Sequence, residues 1–339
     1  MPGPYRYTSP PAPKSATGTA AAVYAQAATD FGIPKPSTLI VLSSAPELLA
    51  PAWALLRESL IAGSGSRGDR ELVAAGVSQA NRCPFCVDAH AVLLHAHGDH
   101  DLGEAVARDT TPGDERAARL LEWGRVTRVP GAPALTPPPF ARADLPSHLG
   151  TAFAFHFINR IVSALLTENL LPAGAQRWPS VRALAGRSVA RVVRAAHTPG
   201  TSLTLLDSPG RGPDWAAGTP VGAAYDALRT AATTGGRLLD DADLDLVLET
   251  VAAWDGTHPP TVWPALPDRA DRPGARLALL AALAPYRITD EDVAAWRVPP
   301  YTDHCLVHLI AYGAFAAVDR IESALPASLS DLTSDRETR

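Results

Sequence analysis

The feature that most constrains the fold of this chain is an internal repeat. Residues 145–165 align without a gap on residues 305–325 and share nine of 21 positions. The shared pairs are His148/His308, Leu149/Leu309, Ala154/Ala314, Phe155/Phe315, Arg160/Arg320, Ile161/Ile321, Ser163/Ser323, Ala164/Ala324 and Leu165/Leu325. Such self-similarity indicates a duplicated unit, although two unrelated helices rich in alanine and leucine would also share some positions. The chain is therefore predicted to contain two related halves.

The repeat extends upstream with a different offset. ELV at 71–73 matches DLV at 245–247, and a valine follows four residues after each segment. On this alignment Cys83, Cys86 and His90 correspond to threonine and prolines in the second half. One half is predicted to keep a thiol site that the other half has lost.

Apolar residues recur at helical spacing, and few stretches alternate as strands do. A helical pattern covers residues 48–60 and ends at the glycine–serine loop 63–66, and a second helix stops before Cys83. A third helix is predicted over 84–97, because proline is favoured at the first helical position and Gly98 suits a C-cap. The predicted fold class is all-α, with two helical domains in tandem.

The linker between the halves contains an arginine-rich helix. It presents a solvated face with arginine stems on neighbouring helices, or it binds an acidic partner or a phosphate. Its arginines are Arg182, Arg187, Arg191 and Arg194. The predicted organisation is an N-terminal arm (1–36), a domain with the cysteine pair (37–171), this linker (172–213), a degenerate domain (214–327) and a polar tail (328–339).

Composition excludes several classes of protein. With 339 residues and 46% hydrophobic positions, the chain can bury sizeable cores. Its net charge of −5 provides no field that would attract nucleic acid or an anionic membrane, so neither partner is expected. No stretch approaches the roughly 18 apolar residues of a membrane span, and the proline-rich start lacks a secretory signal. A cytoplasmic location is expected, where cysteines stay reduced unless their chemistry is oxidation.

Four residues around the cysteine pair could act together. Cys86 and His90 are four residues apart on one helix, so the imidazole can take the thiol proton directly or through one water. Both cysteines lie at the first turn, where unpaired amides and the helix dipole favour a thiolate. Glu71, on the preceding helix, would lie beside His90 and set its tautomer in an antiparallel pair. Cys83 is placed to attack a sulfenic acid at Cys86 and close a disulfide.

The spacing of these four residues, within ELVAAGVSQANRCPFCVDAH, resembles the alkylhydroperoxidase AhpD / carboxymuconolactone decarboxylase family. The later segment FHFINRIVSALL resembles the helix that closes the core of that family. The resemblance covers about residues 37–171 closely and residues 214–327 as a degenerate copy.

The resemblance implies a thiol-dependent hydroperoxide reductase. Cys86 would be the peroxidatic thiol, Cys83 the resolving thiol, and Glu71 with His90 the proton relay. The hydroperoxidases of the family carry a histidine just before the second cysteine, where this chain has Phe85. A dithiol or a lipoylated protein would regenerate the pair, and no cofactor or metal is expected. The decarboxylase branch does not depend on a CxxC pair, so the pair favours redox chemistry.

Other interpretations stay open. The cysteines could be buried structural residues, with His90 bonded to a backbone carbonyl. They could instead hold zinc together with the nearby His95, His97 and His100, although no second CxxC and no HxxxH pair lies near them in the sequence. The protein could also be a redox sensor or a scaffold without catalysis.

Several single residues carry weaker predictions. The repeated histidines, His148 and His308, are expected to have structural roles. His156, Asn159 and Arg160 could either line the thiol pocket or hold helix ends.

The duplication also predicts an assembly. The halves are expected to be related by an approximate twofold or threefold rotation. Helices of the second half are expected to form part of the wall of the thiol site. Cys305 is expected to be a small core residue. A compact homo-oligomer, a dimer or trimer, is expected.

Overall fold

The computed structural model describes residues 4–208 and 210–325, so the predicted tail 328–339 lies outside it. The described residues form 14 α-helices and no β-sheet, which confirms the all-α prediction. None of these helices is long and apolar enough to cross a membrane. The helices are α1 (Gly18–Gln26), α2 (Ser37–Ile40), α3 (Pro46–Leu56), α4 (Arg67–Ala80), α5 (Pro84–His97), α6 (His100–Ala107), α7 (Glu115–Val126), α8 (Leu145–Leu165), α9 (Pro179–Val193), α10 (Pro220–Thr233), α11 (Asp241–Ala252), α12 (Pro273–Leu283), α13 (Asp290–Trp296) and α14 (Asp303–Ser323).

Local capping explains where the helices around the cysteine pair begin and end. The Ser66 side chain accepts a hydrogen bond from the Asp69 amide at the start of α4. Pro84 is the first residue of α5, and Gly98 ends that helix with φ 103°. The predicted third helix is therefore confirmed residue by residue. Because proline loses no helical donor at this position and glycine adopts positive φ freely, both ends are set by local chemistry.

The two halves repeat the same order of helices. In the second half, α10, α11, α12 and α14 follow one another as α3, α4, α7 and α8 do in the first. α8 and α14 are each 21 residues long and contain the repeated segments. α4 and α11 begin at Arg67 and Asp241, the same offset as between Glu71 and Asp245. Residues 253–272 form turns and loops where the first half has α5 and α6.

Equivalent helices meet where the halves pack together. α8 contacts α14, and α3 contacts α10, which is the pattern that an approximate twofold relation produces. Leu149, Leu309, Ile161 and Ile321 from the repeated segments are each at most 1% exposed. They belong to one continuous cluster of buried side chains that includes both halves. The division into two domains stays a prediction, because the halves share this core.

A charged cluster joins the halves at the N-terminal ends of α3 and α14. Glu47 Oε1 lies 2.6 Å from both His304 Nε2 and His308 Nε2. Partial burial disfavours the carboxylate, but a backbone amide and the two imidazoles outweigh it, so the pKa of Glu47 lies below its ordinary value. Partial burial also opposes protonation of His304, yet the carboxylate raises the pKa of His304 above its ordinary value. Cys305, beside this cluster, is half-buried at the edge of the core, so it is not the core residue predicted.

We expect this cluster to stabilise the fold most between the ordinary pKa values of its groups, 4.5 for glutamate and 6.5 for histidine. A carboxyl whose pKa falls on folding loses its contribution as the pH drops through the folded pKa. A histidine whose pKa rises on folding loses its contribution as the pH climbs through the folded pKa. His304→Gln should therefore lower the melting temperature more at about pH 5.5 than at about pH 8, by calorimetry in EDTA. An equal loss at both pH values would contradict this assignment.

Candidate active site

α5 places the two cysteines at its first turn. Cys83 is the N-cap residue and Cys86 follows within the helix, with their Cα atoms 5.4 Å apart and their sulfurs joined in a disulfide. Both residues are buried, with Cys86 3% exposed. The CxxC pair is thus placed to form a disulfide within one chain.

Glu71 from α4 reaches His90 from α5, as the antiparallel helix pair predicted. Glu71 Oε2 lies 2.8 Å from His90 Nδ1, and both side chains are buried. Among the described residues, nothing hydrogen-bonds His90 Nε2. Because the hydrogen bond to the carboxylate favours a proton on Nδ1, Nε2 is the basic nitrogen of the neutral ring. Cys86 and His90 line the same cleft, so the free nitrogen and the sulfur belong to one site.

Sequence analysis missed Arg67, which completes the charge balance of this pair. Arg67 Nε lies 3.4 Å from Glu71 Oε1, one helical turn away on α4. Burial disfavours the charged carboxylate, but the hydrogen bond from His90 and the positive charge of Arg67 outweigh it, so the pKa of Glu71 lies below its ordinary value. Glu71 is therefore an anion beside the His90 ring. The four-residue spacing of arginine and glutamate was the sequence signal for this contact.

A buried polar network holds the turn that leads from α4 to Cys83. Asn81 Nδ2 lies 3.0 Å from both His156 Nδ1 and Asn159 Oδ1. Burial lowers the pKa of His156 well below its ordinary value, so its ring is neutral and accepts this bond. Arg160 donates from Nε to a carbonyl of α12 at 2.6 Å. The α8 side chains His156, Asn159 and Arg160 hold helices and the turn in place. They do not line the cleft that contains Cys86 and His90.

An apolar cleft of about 330 Å³, called the thiol cleft below, lies beside Cys86 and His90. Its walls are faces of α5 and α8, residues 31–38 of the N-terminal segment and one face of α9. All of its described lining residues precede residue 190, so the expectation that the second half walls the site is wrong for this cleft. The second half instead contacts the turn before Cys83, where His258 Nε2 lies 2.9 Å from the Ala80 carbonyl oxygen.

Two of the histidines proposed as zinc ligands form a separate network. His95 Nδ1 lies 2.7 Å from His100 Nδ1, and His95 Nε2 lies 3.0 Å from a Glu104 oxygen. Glu104 also accepts two hydrogen bonds from Arg182 of α9, at 3.0 and 2.6 Å. This network joins α5, α6 and α9, and it includes neither cysteine. Arg182 is thus buried, whereas Arg187 and Arg191 have the solvated position expected of the basic helix.

Metal-ligating side chains do converge elsewhere in the part of the chain that the structure describes. The donor atoms of Glu47, His304 and His308 all lie within 4.8 Å of one another, close enough to hold a metal ion. Sequence analysis missed this group: the HxxxH spacing of His304 and His308 was a signal, but their glutamate partner lies 257 residues earlier than His304. The group lies at the junction of the halves and includes no residue of the thiol cleft.

Comparisons with known proteins identify the family of this chain. The model of the carboxymuconolactone decarboxylase family matches residues 47–124, which include the cysteine pair, Glu71 and His90. A protein of Mycobacterium tuberculosis described as an alkyl hydroperoxide reductase is 40% identical over 329 residues, covering 93% of each chain. No solved structure gives a significant match.

We expect the Glu71–His90 pair to make reduced Cys86 reactive at neutral pH. In a Cys83→Ser background, alkylation of Cys86 by iodoacetamide should be nearly flat from about pH 7 to 9, whereas an ordinary thiol gains rate through about pH 8.5. Glu71→Gln and His90→Ala should each restore the steep rise, followed by mass spectrometry of the labelled peptide.

Glu104→Gln is the matched control for this experiment. It removes the contact of Glu104 with His95, a histidine that lies on α5 as His90 does but outside the thiol cleft. The pH profile should therefore stay unchanged. If Glu71→Gln and His90→Ala also leave the profile unchanged, the relay does not exist.

Proposed function

The chain belongs to the carboxymuconolactone decarboxylase family, and from this premise we propose that it reduces organic hydroperoxides with the Cys83–Cys86 pair. The observation that carries the proposal is the combination in one buried site of a disulfide-forming pair, the Glu71–His90 contact and an apolar cleft. The similarity to a mycobacterial protein described as an alkyl hydroperoxide reductase supports the same chemistry.

The first step forms a sulfenic acid on Cys86. His90 Nε2 takes the thiol proton, and the imidazolium is stabilised by the Glu71 carboxylate. The thiolate attacks the terminal oxygen of the hydroperoxide, so an S–O bond forms and the O–O bond breaks. His90 then gives its proton to the leaving alkoxide, which departs as an alcohol. Cys86 is assigned this step because its side chain lines the cleft.

The second step closes the disulfide. The Cys83 thiol attacks the sulfur of the sulfenic acid at Cys86, and water leaves with the proton that Cys83 gives up. The Cα separation of 5.4 Å is within the range that a disulfide requires. The sum of both steps is one hydroperoxide and two thiols converted into one alcohol, one water and one disulfide.

The cleft indicates the substrate class. Its walls are dominated by apolar side chains, including Phe85, Phe155, Ile158 and Leu93. Phe85 occupies the position of the family's histidine and contributes apolar surface there. Since each buried methylene is worth about 0.8 kcal/mol, an alkyl or aryl hydroperoxide binds this cleft better than hydrogen peroxide does.

The reductant is proposed to be a slender dithiol. Cys86 is nearly fully buried at the wall of the cleft, so an attacking thiol must enter through the apolar passage. Dihydrolipoamide, free or carried on a protein, has an apolar chain that suits this passage. We place the reaction in the cytoplasm, where reducing equivalents keep such dithiols available.

Substitution of each cysteine separates their roles. Cys86→Ser should reduce cumene hydroperoxide consumption, with dihydrolipoamide as reductant, to the uncatalysed level. Cys83→Ser should allow one turnover and leave a sulfenic acid on Cys86, trapped by dimedone and read by mass spectrometry. His90→Ala should lower the rate by about a hundredfold or more, as expected for loss of a general base.

The control for the cysteine substitutions is Cys305→Ser, which removes the thiol outside the pair and should leave the rate unchanged. If the wild-type protein does not consume hydroperoxide, or if Cys86→Ser keeps the wild-type rate, the proposed function is wrong. The pair would then serve the alternative role of a non-catalytic redox sensor or scaffold.

We also propose that the chain forms a homo-oligomer, a dimer or trimer. Trp178 and Leu184, next to and within α9, are 69% and 67% exposed, which is unusual for large apolar side chains. A second copy of the chain would cover this surface. Light scattering should give a mass that is a multiple of the monomer, and Trp178→Ser with Leu184→Ser should lower it to that of one chain. A monomeric wild-type protein would refute the assembly.

A further inference from the structure

A second cavity, of about 380 Å³, lies near the C-terminal ends of α5 and α9. It shares no lining residue with the apolar cleft beside Cys86. Loop residues 61–65 and the segment 193–197 form part of its wall. Its charged and titratable lining side chains are Arg67, Arg70, His97, Arg194 and His197. None of the described residues that line it is acidic, so its polar wall consists of basic side chains.

Arg67 lines this cavity and carries one donor without a partner among the described residues. It is 8% exposed; its Nε lies 3.4 Å from Glu71 Oε1 and its Nη1 donates to the Val193 carbonyl at 3.1 Å. Its Nη2 is buried without a hydrogen-bond partner among the described residues. A buried donor left unpaired costs free energy that a bound acceptor would recover. Burial also lowers the pKa of Arg67, and an anion at Nη2 would oppose that effect.

His97 supplies a second unpaired donor or acceptor at the same cavity. Its Nε2 is buried, and none of the described residues hydrogen-bonds it. Burial lowers the pKa of His97, so at neutral pH the ring is uncharged and can donate from Nε2. Two lining side chains on different helices, α4 and α5, therefore each carry a buried nitrogen that lacks a partner in the described chain.

The other two arginines add charge without a carboxylate partner within ion-pair distance in the described chain. Arg70, 2% exposed, donates to the backbone carbonyls of the loop 60–65, and Arg194 donates from Nε to the Ala96 carbonyl at 2.8 Å. The nearby acids lie outside the wall and have other contacts or do not face it: Asp69 is bound to Arg116, Asp144 does not line the cavity, and Asp30 is bound to Arg57 while its other oxygen lies 3.7 Å from His197. Glu71 is the one carboxylate that Arg67 contacts, and His90 shares it.

We propose that this cavity binds a phosphoryl group, either as inorganic phosphate or on a small phosphate ester. Guanidinium groups match the tetrahedral oxygens of phosphate, and a buried arginine holds them by charge-assisted hydrogen bonds. The ligand would accept hydrogen bonds from Arg67 Nη2 and His97 Nε2, while the charges of Arg194 and Arg70 in the wall neutralise it. The volume lies within the range of small-molecule sites, so the cavity has room for more than a bare ion.

Titration of the purified full-length protein with sodium phosphate tests the proposal. At constant ionic strength set with sodium chloride, phosphate should raise the melting temperature and saturate, as expected for a ligand that binds only the folded state. Isothermal titration calorimetry should give a stoichiometry of one. Arg194→Gln and His97→Ala, each checked by calorimetry without phosphate, should each weaken binding by about tenfold or more, roughly the loss of one charge-assisted bond.

Arg191→Gln is the matched control, since Arg191 is an exposed arginine of α9 that does not line the cavity. It should bind phosphate as the wild type does. The conservative variant Arg67→Lys keeps the charge but removes Nη2, and it should also weaken binding. If phosphate gives no saturable shift beyond chloride, or if the cavity variants bind like Arg191→Gln, the proposal is wrong.

A comparison of inorganic phosphate with glycerol 3-phosphate identifies the source of the phosphoryl group. Tighter binding of the ester would mean that the rest of the cavity contacts an organic moiety, whereas equal or weaker binding would identify free phosphate. Both measurements use binding alone, so their result does not depend on hydroperoxide reduction.

Discussion

The Glu71 carboxylate is charged and completely removed from solvent, and the arrangement of the first half depends on how that charge is balanced. A buried charge without a partner would cost several kcal/mol. His90 of α5 contacts one carboxylate oxygen and Arg67 of α4 the other, and Arg67 also binds a carbonyl at the end of α9. One charge thus holds three helices in register. The same contacts that stabilise the fold leave His90 Nε2 without a hydrogen-bond partner among the described residues. This links the stability of the region to the proposed chemistry.

The duplication separates packing from chemistry. The second half keeps the helices that bury apolar surface, and its repeated helix α14 packs against α8 in one shared core. It lacks the counterpart of α5, and residues 253–272 fill that part of the chain with turns and loops. Burial of Leu309 and Ile321 stabilises the chain whether or not a thiol site is present. His258, in the loop that stands in place of α5, contacts the Ala80 carbonyl oxygen just before the turn that leads to Cys83. The half without the thiol pair therefore still stabilises the half that contains it.

Part of the wall of the thiol cleft lies outside the segment that matches the family. The matched residues 47–124 contain the proposed chemical groups. Part of the cleft wall comes from residues 31–38 and from α9, which lie on either side of that segment. Under the proposed function, differences in these flanking elements would change which hydroperoxide and which reductant enter, while the proposed Glu71–His90 relay stays the same. The exposed apolar residues Trp178 and Leu184 also belong to the region of α9, so the same element faces both the cleft and the proposed partner surface.

Patterns within one or two helices were enough to predict the all-α fold, the bounds of α5, the repeat and the Glu71–His90 contact. Helical periodicity, capping residues and i, i+4 spacing are local properties, and the sequence by itself determined them. Only the tertiary structure decided which elements line the cleft, that Arg67 is buried where it meets the Glu71 carboxylate, and that Glu47 meets His304 across the halves. Most of these depend on contacts between residues far apart in the chain, and Arg67 became significant only through its burial. Burial and long-range contacts arise from how the helices pack, so the spacing of residues along the sequence does not predict them.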